Sequence, residues 1–296
     1  MKAPVDHVLL TRFNLPSGGA ESRIRARQGW LEKRACMFDA ITVPSVRRQT
    51  ADVRWIVYLD PLSPVWLKER MQGYEEEGVL IPLYREDVPR SVLVADLHRV
   101  VRSPAPRLLT TNLDNDDGLA RDFAQSVQEQ AGRPCRYVIY ADDGVIRRGS
   151  MIYARRDPRN AFVSVSESWT APVTCWSAWH NQLHLVMPVV HIDRQAAWLQ
   201  TVHDDNVSNR VRGRLVSPDR YDGMFPGLLK GVRAPTRREL LRDMVVEFPV
   251  RAGRDLIRSS VRSMVMKVVG QQGLEALHAR LGEQGRRTQQ ERPKDE

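Results

Sequence analysis

An α/β fold, with a mostly parallel sheet flanked by helices and a helical extension at the C-terminal end, is what the 296-residue sequence predicts. Three observations lead there. Short apolar runs alternate with amphipathic stretches through the first two-thirds of the chain. Turn residues bound these runs, as they bound the buried strands of such sheets. Acidic residues follow two of the runs, at Asp60 and at Asp114–Asp117. The carboxyl ends of parallel strands share one rim, and ligands bind there.

The first strand is Val8 to Phe13, closed by the turn residues Pro16-Ser17-Gly18-Gly19. Leu31, Ala35, Phe38 and Ile41 then mark one face of a helix, which Pro44 is expected to interrupt. Trp55 to Leu59 is a second strand ending at Asp60-Pro61. Pro64 opens another helix, where its missing N–H does no harm. Val79 to Tyr84 is a third strand and Arg90 to Val101 a helix. Arg107 to Asn112 is a fourth strand that runs into Asp114-Asn115-Asp116-Asp117-Gly118, with a helix expected from about Leu119 to Gln130. Tyr137–Tyr140, Ser150–Arg155 and Phe162–Val165 read as strands joined in hairpins by Asp-Gly and Asp-Pro turns. From Arg233 onward the pattern is helical and basic, and residues 285–296 have the composition of a disordered tail.

Hydrophobic residues make up 42% and charged residues 27%, which excludes a wholly disordered chain. No apolar run approaches the ~20 residues of a membrane-spanning helix. The start of the sequence has no signal-peptide core, so a cytoplasmic location is expected. The three cysteines, Cys36, Cys135 and Cys175, are odd in number and far apart, which argues against a disulfide framework. A net charge of +9 favours an anionic partner (nucleic acid, acidic lipid or pyrophosphate) without choosing among them.

Asp114, Asp116 and Asp117 fall within four residues. That much negative charge at a sheet edge needs a cation or a network of donors. Magnesium or manganese, held by carboxylates and substrate phosphates, meets the need and offsets charge on a leaving diphosphate. The alternative is a helix start whose free N–H groups the acids cap, which accounts for one or two of the three. Spacing alone leaves both open.

Further segments carry a resemblance. Leu10-Thr11-Arg12-Phe13-Asn14, Pro44-Ser45-Val46 with Gln49-Thr50, Trp55 to Pro61, and Thr111-Asn112-Leu113-Asp114-Asn115-Asp116-Asp117 occur in the order seen in the bacterial putative rhamnosyl transferase family. Trp198-Leu199-Gln200-Thr201-Val202-His203 with Asn206-Val207-Ser208-Asn209-Arg210 is similar to it as well, so the resemblance spans about residues 5–215. It implies a GT-A-like (Rossmann-like) glycosyltransferase domain, taken over residues 1–230, to which the pattern of the chain adds a basic helical extension over 231–284 and the tail beyond. It also implies a nucleotide diphosphate-sugar donor, a glycan or lipid-linked acceptor, Mn2+ or Mg2+, and no nucleic acid. By the same resemblance Asp114 and Asp116 match the Asp-x-Asp that contacts metal and sugar, with Asp117 able to replace either at the metal. Asp60 matches the acid that accepts from the nucleotide base, Thr11 and Arg12 the nucleotide-contacting position, and His203 the late residue that closes the metal or diphosphate site. Asp204-Asp205, where small residues are expected, departs from the pattern.

An inverting transferase also needs a carboxylate to take the acceptor proton, away from the metal. Glu167 has the right place in chain order. Asp143 and Asp142 compete, although Asp142-Asp143-Gly144 reads more simply as a hairpin turn. Trp169, Trp176 and Trp179 are read either as an acceptor platform or as core. Cys175, His180, His184 and His191 are a lesser alternative as zinc ligands. Leu256, Ile257, Val261, Met264, Val265, Val268 and Val269 form an apolar helical stripe edged by Arg254, Arg258 and Arg262, suited to peripheral contact with the inner face of a membrane or to docking on protein. Two rival readings stand beside the transferase: a metal-dependent nuclease or phosphotransferase, and a non-catalytic polyanion-binding protein.

Overall fold

Val5–Arg12 forms β1, buried along almost its whole length, as a strand covered on both faces must be. It is central to a seven-stranded sheet, which we describe from a computed structural model covering residues 4–16, 27–203 and 211–254. β2 (Arg54–Leu59), β3 (Ile81–Tyr84) and β4 (Arg107–Asn112) lie parallel to it in the order β4-β1-β2-β3. Beyond β4 the antiparallel β9 (Ser164–Glu167) is followed by β6 (Tyr137–Ala141) and β10 (Val189–Ile192), which are parallel to each other. The expected α/β class and mostly parallel sheet are therefore present.

Side chains alternate across the sheet. Leu9, Val57, Leu59 and Leu109 meet helices α1 (Trp30–Met37), α2 (Val43–Arg47), α3 (Val65–Glu76) and α5 (Phe123–Gln128). Val8, Leu10, Ile56 and Tyr58 meet α4 (Arg90–Val100) through Leu93 and Leu97. A second sheet holds β5 (Gly118–Leu119), β7 (Asp143–Arg148), β8 (Met151–Arg156), β11 (Trp198–Thr201) and β12 (Arg214–Val216), in the order β12-β8-β7-β11-β5.

Several local expectations are corrected. Pro44 does not interrupt the first helix. A π-helical stretch, Phe38–Thr42, joins α1 to α2, and Pro44 falls in the first turn of α2, where an N–H is not required. The helix after the acidic cluster begins at Phe123, because Gly118–Leu119 is recruited into the second sheet by pairing with β11. Asp143-Gly144 is not a hairpin turn: the chain leaves one sheet at Ala141 and enters the other at Asp143. Asp157-Pro158 likewise links strands of different sheets. The hairpin in this region joins β7 to β8 at Gly149, whose φ of 57° suits glycine.

The helical run Arg237–Arg254 starts with a complete capping box, Thr236 with Glu239. It is anchored on the second sheet. Asp243, 2% exposed, accepts from the Leu215 N–H at 2.9 Å and pairs with Arg251. The apolar stripe from Leu256 to Val269, with Arg258 and Arg262, and residues 285–296 lie outside the described residues, as do Asp204-Asp205 and residues 206–210. Among the described residues no helix is long and apolar enough to cross a membrane.

Candidate active site

β1, β2 and β4 end level with one another. Arg12 registers with Tyr58, and Leu10 with Asn112. The residues just past these ends, Asp60 after β2 and Leu113–Asp117 after β4, therefore flank Arg12 on one rim, with Asp60 and Asp114 two strand spacings or about 10 Å apart.

Each acid has a different setting. Asp114 is exposed to water yet ringed by protein, and Asn112 Nδ2 donates to it at 3.3 Å. Burial, then the charge of Asp116, push its carboxyl up to about 6, against the Asn112 hydrogen bond and the charges of Arg34 and Arg12. Asp116 is 3% exposed. Its Oδ2 lies 2.5 Å from Arg34 Nη1 and 3.0 Å from His203 Nε2. Burial works to raise its carboxyl, but the His203 hydrogen bond and the Arg34 charge outweigh it and hold the group below the ordinary value. Asp117 is wholly buried. Its Oδ1 accepts the Thr201 N–H at 2.7 Å, and its Oδ2 has no partner among the described residues. Burial first, then Asp116 and Asp114, push this carboxyl well above its usual value. Asn115 pins the turn, donating to Phe13 O at 2.7 Å and accepting from Arg34 at 3.1 Å. The helix-capping alternative falls away, because the helix starts at Phe123, six residues after Asp117.

Asp60 sits half-buried at the end of β2, and its Oδ1 accepts the Leu62 N–H at 2.8 Å. Arg12 is exposed at the same rim, with its guanidinium 4.1 Å from the Trp176 ring centre. The Trp176 indole N–H donates to Asn112 Oδ1 at 2.8 Å. Asn112 thus links this aromatic to Asp114.

Two predicted site residues are not brought to this rim in usable form, and a third is tied to an arginine. Thr11 is sealed in the interior: its hydroxyl donates to Leu113 O at 2.7 Å and accepts from Trp55 Nε1 at 2.8 Å, so it ties β1 to the acidic turn instead of meeting a nucleotide. Glu167 is at the opposite edge of the sheet. β9 runs antiparallel, so its last residue registers with Leu108 near the start of β4. There, fully buried, Glu167 accepts from Arg136 Nε at 2.7 Å and from the N–H groups of Val173 and Thr174 at 2.9 and 2.8 Å. With both oxygens satisfied, it is a structural anchor. Asp143 opens β7 and pairs with Arg156 at 3.6 Å.

The three tryptophans are not one platform. Trp169 bonds Asp6 Oδ2 at the amino edge, Trp176 lies on the carboxyl rim, and Trp179 is 61% exposed. The zinc alternative also fails. Cys175 is buried, its N–H donates to Thr110 Oγ1, and its thiol is pushed up to about 12 by burial. His191 bonds Asp142 instead. Among the described residues no three His, Cys, Asp or Glu side chains converge as a ready-made metal cage. The Asp142–His191 pair had no local sequence signal, because β10 supplies the histidine and β6 leads into the acid.

A family model described as "Putative rhamnosyl transferase" matches residues 6–215. No curated protein matches by sequence. Among solved structures, S. aureus TarS residues 1–349 with UDP is similar at 10% identity and a TM-score of 0.38, over 67% of this chain and 60% of that one. The chain thus spans less than two-thirds of that structure. The inositol-1-phosphate CTP transferase from T. maritima is similar at 11% identity and a TM-score of 0.40, over 78% of this chain and all of that one. GalNAc-T7 with UDP, GalNAc and Mn2+ gives 11% identity and a TM-score of 0.38, over 75% and 47% of the two chains.

Proposed function

The chain belongs to the putative rhamnosyl transferase family, and from that premise we propose that it moves a sugar from a nucleoside diphosphate-sugar to a hydroxyl acceptor at the rim formed by Arg12, Asp60 and Asp114–Asp117. The family name points to rhamnose as the sugar, and the reading includes a glycan or lipid-linked acceptor. The observation that carries it is the packing of three carboxylates in one turn at the end of β4, with one oxygen of Asp117 buried and without a hydrogen-bond partner among the described residues.

That donor set fits Mn2+ or Mg2+, which take carboxylate oxygens and leave positions for substrate phosphates. Asp114 and Asp116 would hold the ion, backed by Asp117 and closed by His203. When bound, it supplies positive charge against the leaving diphosphate. The chain's own groups do the rest. Arg34, already on Asp116, and Arg12, steadied on Trp176, bring guanidinium groups to the phosphate oxygens. Asp60 accepts from the nucleotide base. A nuclease would draw acids from several strands, whereas these come from one turn.

The experiment is a thermal-shift screen of nucleoside diphosphate-sugars with and without manganese. Manganese-dependent stabilisation in the unaltered protein, abolished by Asp114→Asn, is expected. Because Asp114 is on the exposed rim, this variant keeps its fold. Stabilisation by DNA alone, or slow phosphodiester cleavage, would sink the reading.

A pH dependence follows. The Asp114 carboxyl is pushed up to about 6, so it takes up a proton as pH falls through that value, and a protonated carboxyl is a poor metal ligand. The manganese-dependent shift is expected to weaken by more than half between about pH 7.5 and about pH 5, on either side of about 6. A shift as large at the lower pH would contradict Asp114 as a ligand.

For the acceptor side, the helical run Arg237–Arg254 exposes Leu241, Met244, Val245, Val246 and Val250 beside Arg237, Arg238 and Arg242. Apolar and cationic residues so mixed suit the surface of an anionic membrane, where lipid-linked acceptors reside.

A further inference from the structure

A second constellation lies on the same rim. Asp142 follows β6, and His191 is on the neighbouring β10, whose Ile192 registers with Ala141. His191 Nδ1 is 2.6 Å from Asp142 Oδ1. The other Asp142 oxygen accepts from Arg156 Nη2 at 3.1 Å. Asp142 is 2% exposed, so its carboxylate is enclosed, whereas the His191 side chain is 45% exposed.

A carboxylate only accepts, so the proton in the short bond sits on Nδ1 and Nε2 is left as the basic nitrogen. The imidazole is steadied from the side. The Tyr140 ring stacks on it at 6.0 Å and 24°, and the Tyr140 hydroxyl is itself held by the His180 carbonyl.

The register fixes where this pair stands. Ile139 pairs with Ser164, and Ser164 with Thr111. β6 and β4 therefore run the same way, and Asp142, three residues past Ile139, is level with Asp114, three past Thr111. Two strand spacings, about 10 Å, separate them. A group that deprotonates the acceptor must share the rim with the metal ligands without competing for the ion, and this separation permits both.

The geometry points to His191 as the proton acceptor of the transfer reaction and to Asp142 as the residue that positions it. The inference rests on the transferase reading above. In the step, the acceptor oxygen forms a bond to the anomeric carbon. The bond from that carbon to the diphosphate oxygen breaks, and its electron pair leaves with the nucleoside diphosphate. The hydroxyl proton passes to His191 Nε2, and Asp142 stabilises the imidazolium that results.

The test uses the full chain with manganese and two donors, dTDP-rhamnose and UDP-glucose, with water as acceptor and nucleoside diphosphate release as the readout. His191→Ala is expected to lower kcat by about 10²–10³-fold, the usual scale for a general base. KM and the nucleotide-induced thermal shift should hold, and added imidazole should restore part of the rate. Asp142→Asn should lower kcat without rescue by imidazole. A second measurement needs no turnover: carbethoxylation of His191 by diethyl pyrocarbonate, read by peptide mass, should be slowed by the bound nucleoside diphosphate-sugar and not by the nucleoside diphosphate. An unchanged kcat in His191→Ala, a loss that imidazole does not relieve, or equal labelling with both ligands overturns the dyad alone. Absence of nucleotide binding by the unaltered protein overturns the transferase reading and the dyad with it.

Discussion

Asp117→Asn is expected to raise the melting temperature of the metal-free protein while abolishing its response to manganese and nucleotide. Asp117 is wholly buried, one oxygen bonds the Thr201 N–H at 2.7 Å, and the other has no partner among the described residues. An asparagine keeps the shape and can keep the Thr201 bond through its Oδ1, but it removes a charge from between Asp114 and Asp116. Burial and those two neighbours push the Asp117 carboxyl well above 3.8. The folded protein thus holds this proton more tightly than the unfolded chain does. The favourable contribution is complete below 3.8 and is lost as pH rises through the folded value. At pH 8, above that starting value, the folded protein must either take up a proton or bury an unpaired charge, and the asparagine variant does neither. An uncompensated buried polar group costs roughly 1–3 kcal/mol, and a chain of this size gains about 2–4 °C per kcal/mol, so a rise on the order of 5 °C is expected. Differential scanning calorimetry in chelator at pH 5 and pH 8 reads it. A variant that melts no higher than the unaltered protein at pH 8, or that still responds fully to manganese, removes Asp117 from the cation site. The opposed outcomes separate a functional cluster from a structural one: a structural acid would cost stability when removed, whereas one kept for a cation costs stability while it stays.

The acidic rim was legible in the sequence because parallel strands give it away locally. β1, β2 and β4 run parallel and are buried along most of their length, so the residues that follow them emerge at the same edge. Arg12 was singled out by the family resemblance, whereas Asp60 and Asp114–Asp117 follow from that rule. Glu167 violates it. It also ends a strand, but β9 is antiparallel, and a strand's last residue then emerges at the far rim. Chain order carries no information about strand direction, so the reading that found Asp114 misplaced Glu167. Thr11 failed on the alternation of side chains: one residue before the exposed Arg12, it points into the interior to bond Leu113 and Trp55. The His191–Asp142 pair was invisible because its two residues lie 49 positions apart and meet only through the pairing of β10 with β6. Asp143-Gly144 was misread for a different reason. Asp-Gly favours tight hairpin turns, but here the glycine serves a neighbour on another strand.

Gly144→Ala is accordingly expected to be among the most destabilising single-methyl additions in the protein. A Cβ at this position would meet three Trp198 ring atoms at 2.0, 2.3 and 2.3 Å, distances that require something to move. Trp198 has little freedom to do so. It registers with Gly144 on the adjacent parallel strand, its indole N–H donates to Ala141 O at 2.9 Å, and its ring stacks on Phe162 at 5.1 Å and 10°. Only 2% of it is exposed. The same ring bridges the two sheets, since Ala141 closes β6 and Gly144 belongs to β7. Overpacking costs about 1–3 kcal/mol and occasionally more, and the upper end applies where the displaced group is a fixed ring, for a fall of about 10 °C in Tm at about 2–4 °C per kcal/mol. Strain elsewhere in β7 could lower Tm equally, so the diagnostic is a cycle. Trp198→Leu alone should cost about 3–5 kcal/mol, chiefly through lost burial, since the Ala141 carbonyl that loses the indole N–H still accepts from Asn160 Nδ2 at 2.8 Å. In that background Gly144→Ala should be nearly neutral, because the atoms it struck are gone. An alanine that costs as much in the Trp198→Leu background as in the unaltered protein would mean that the glycine serves the backbone of β7 and not the ring laid across it.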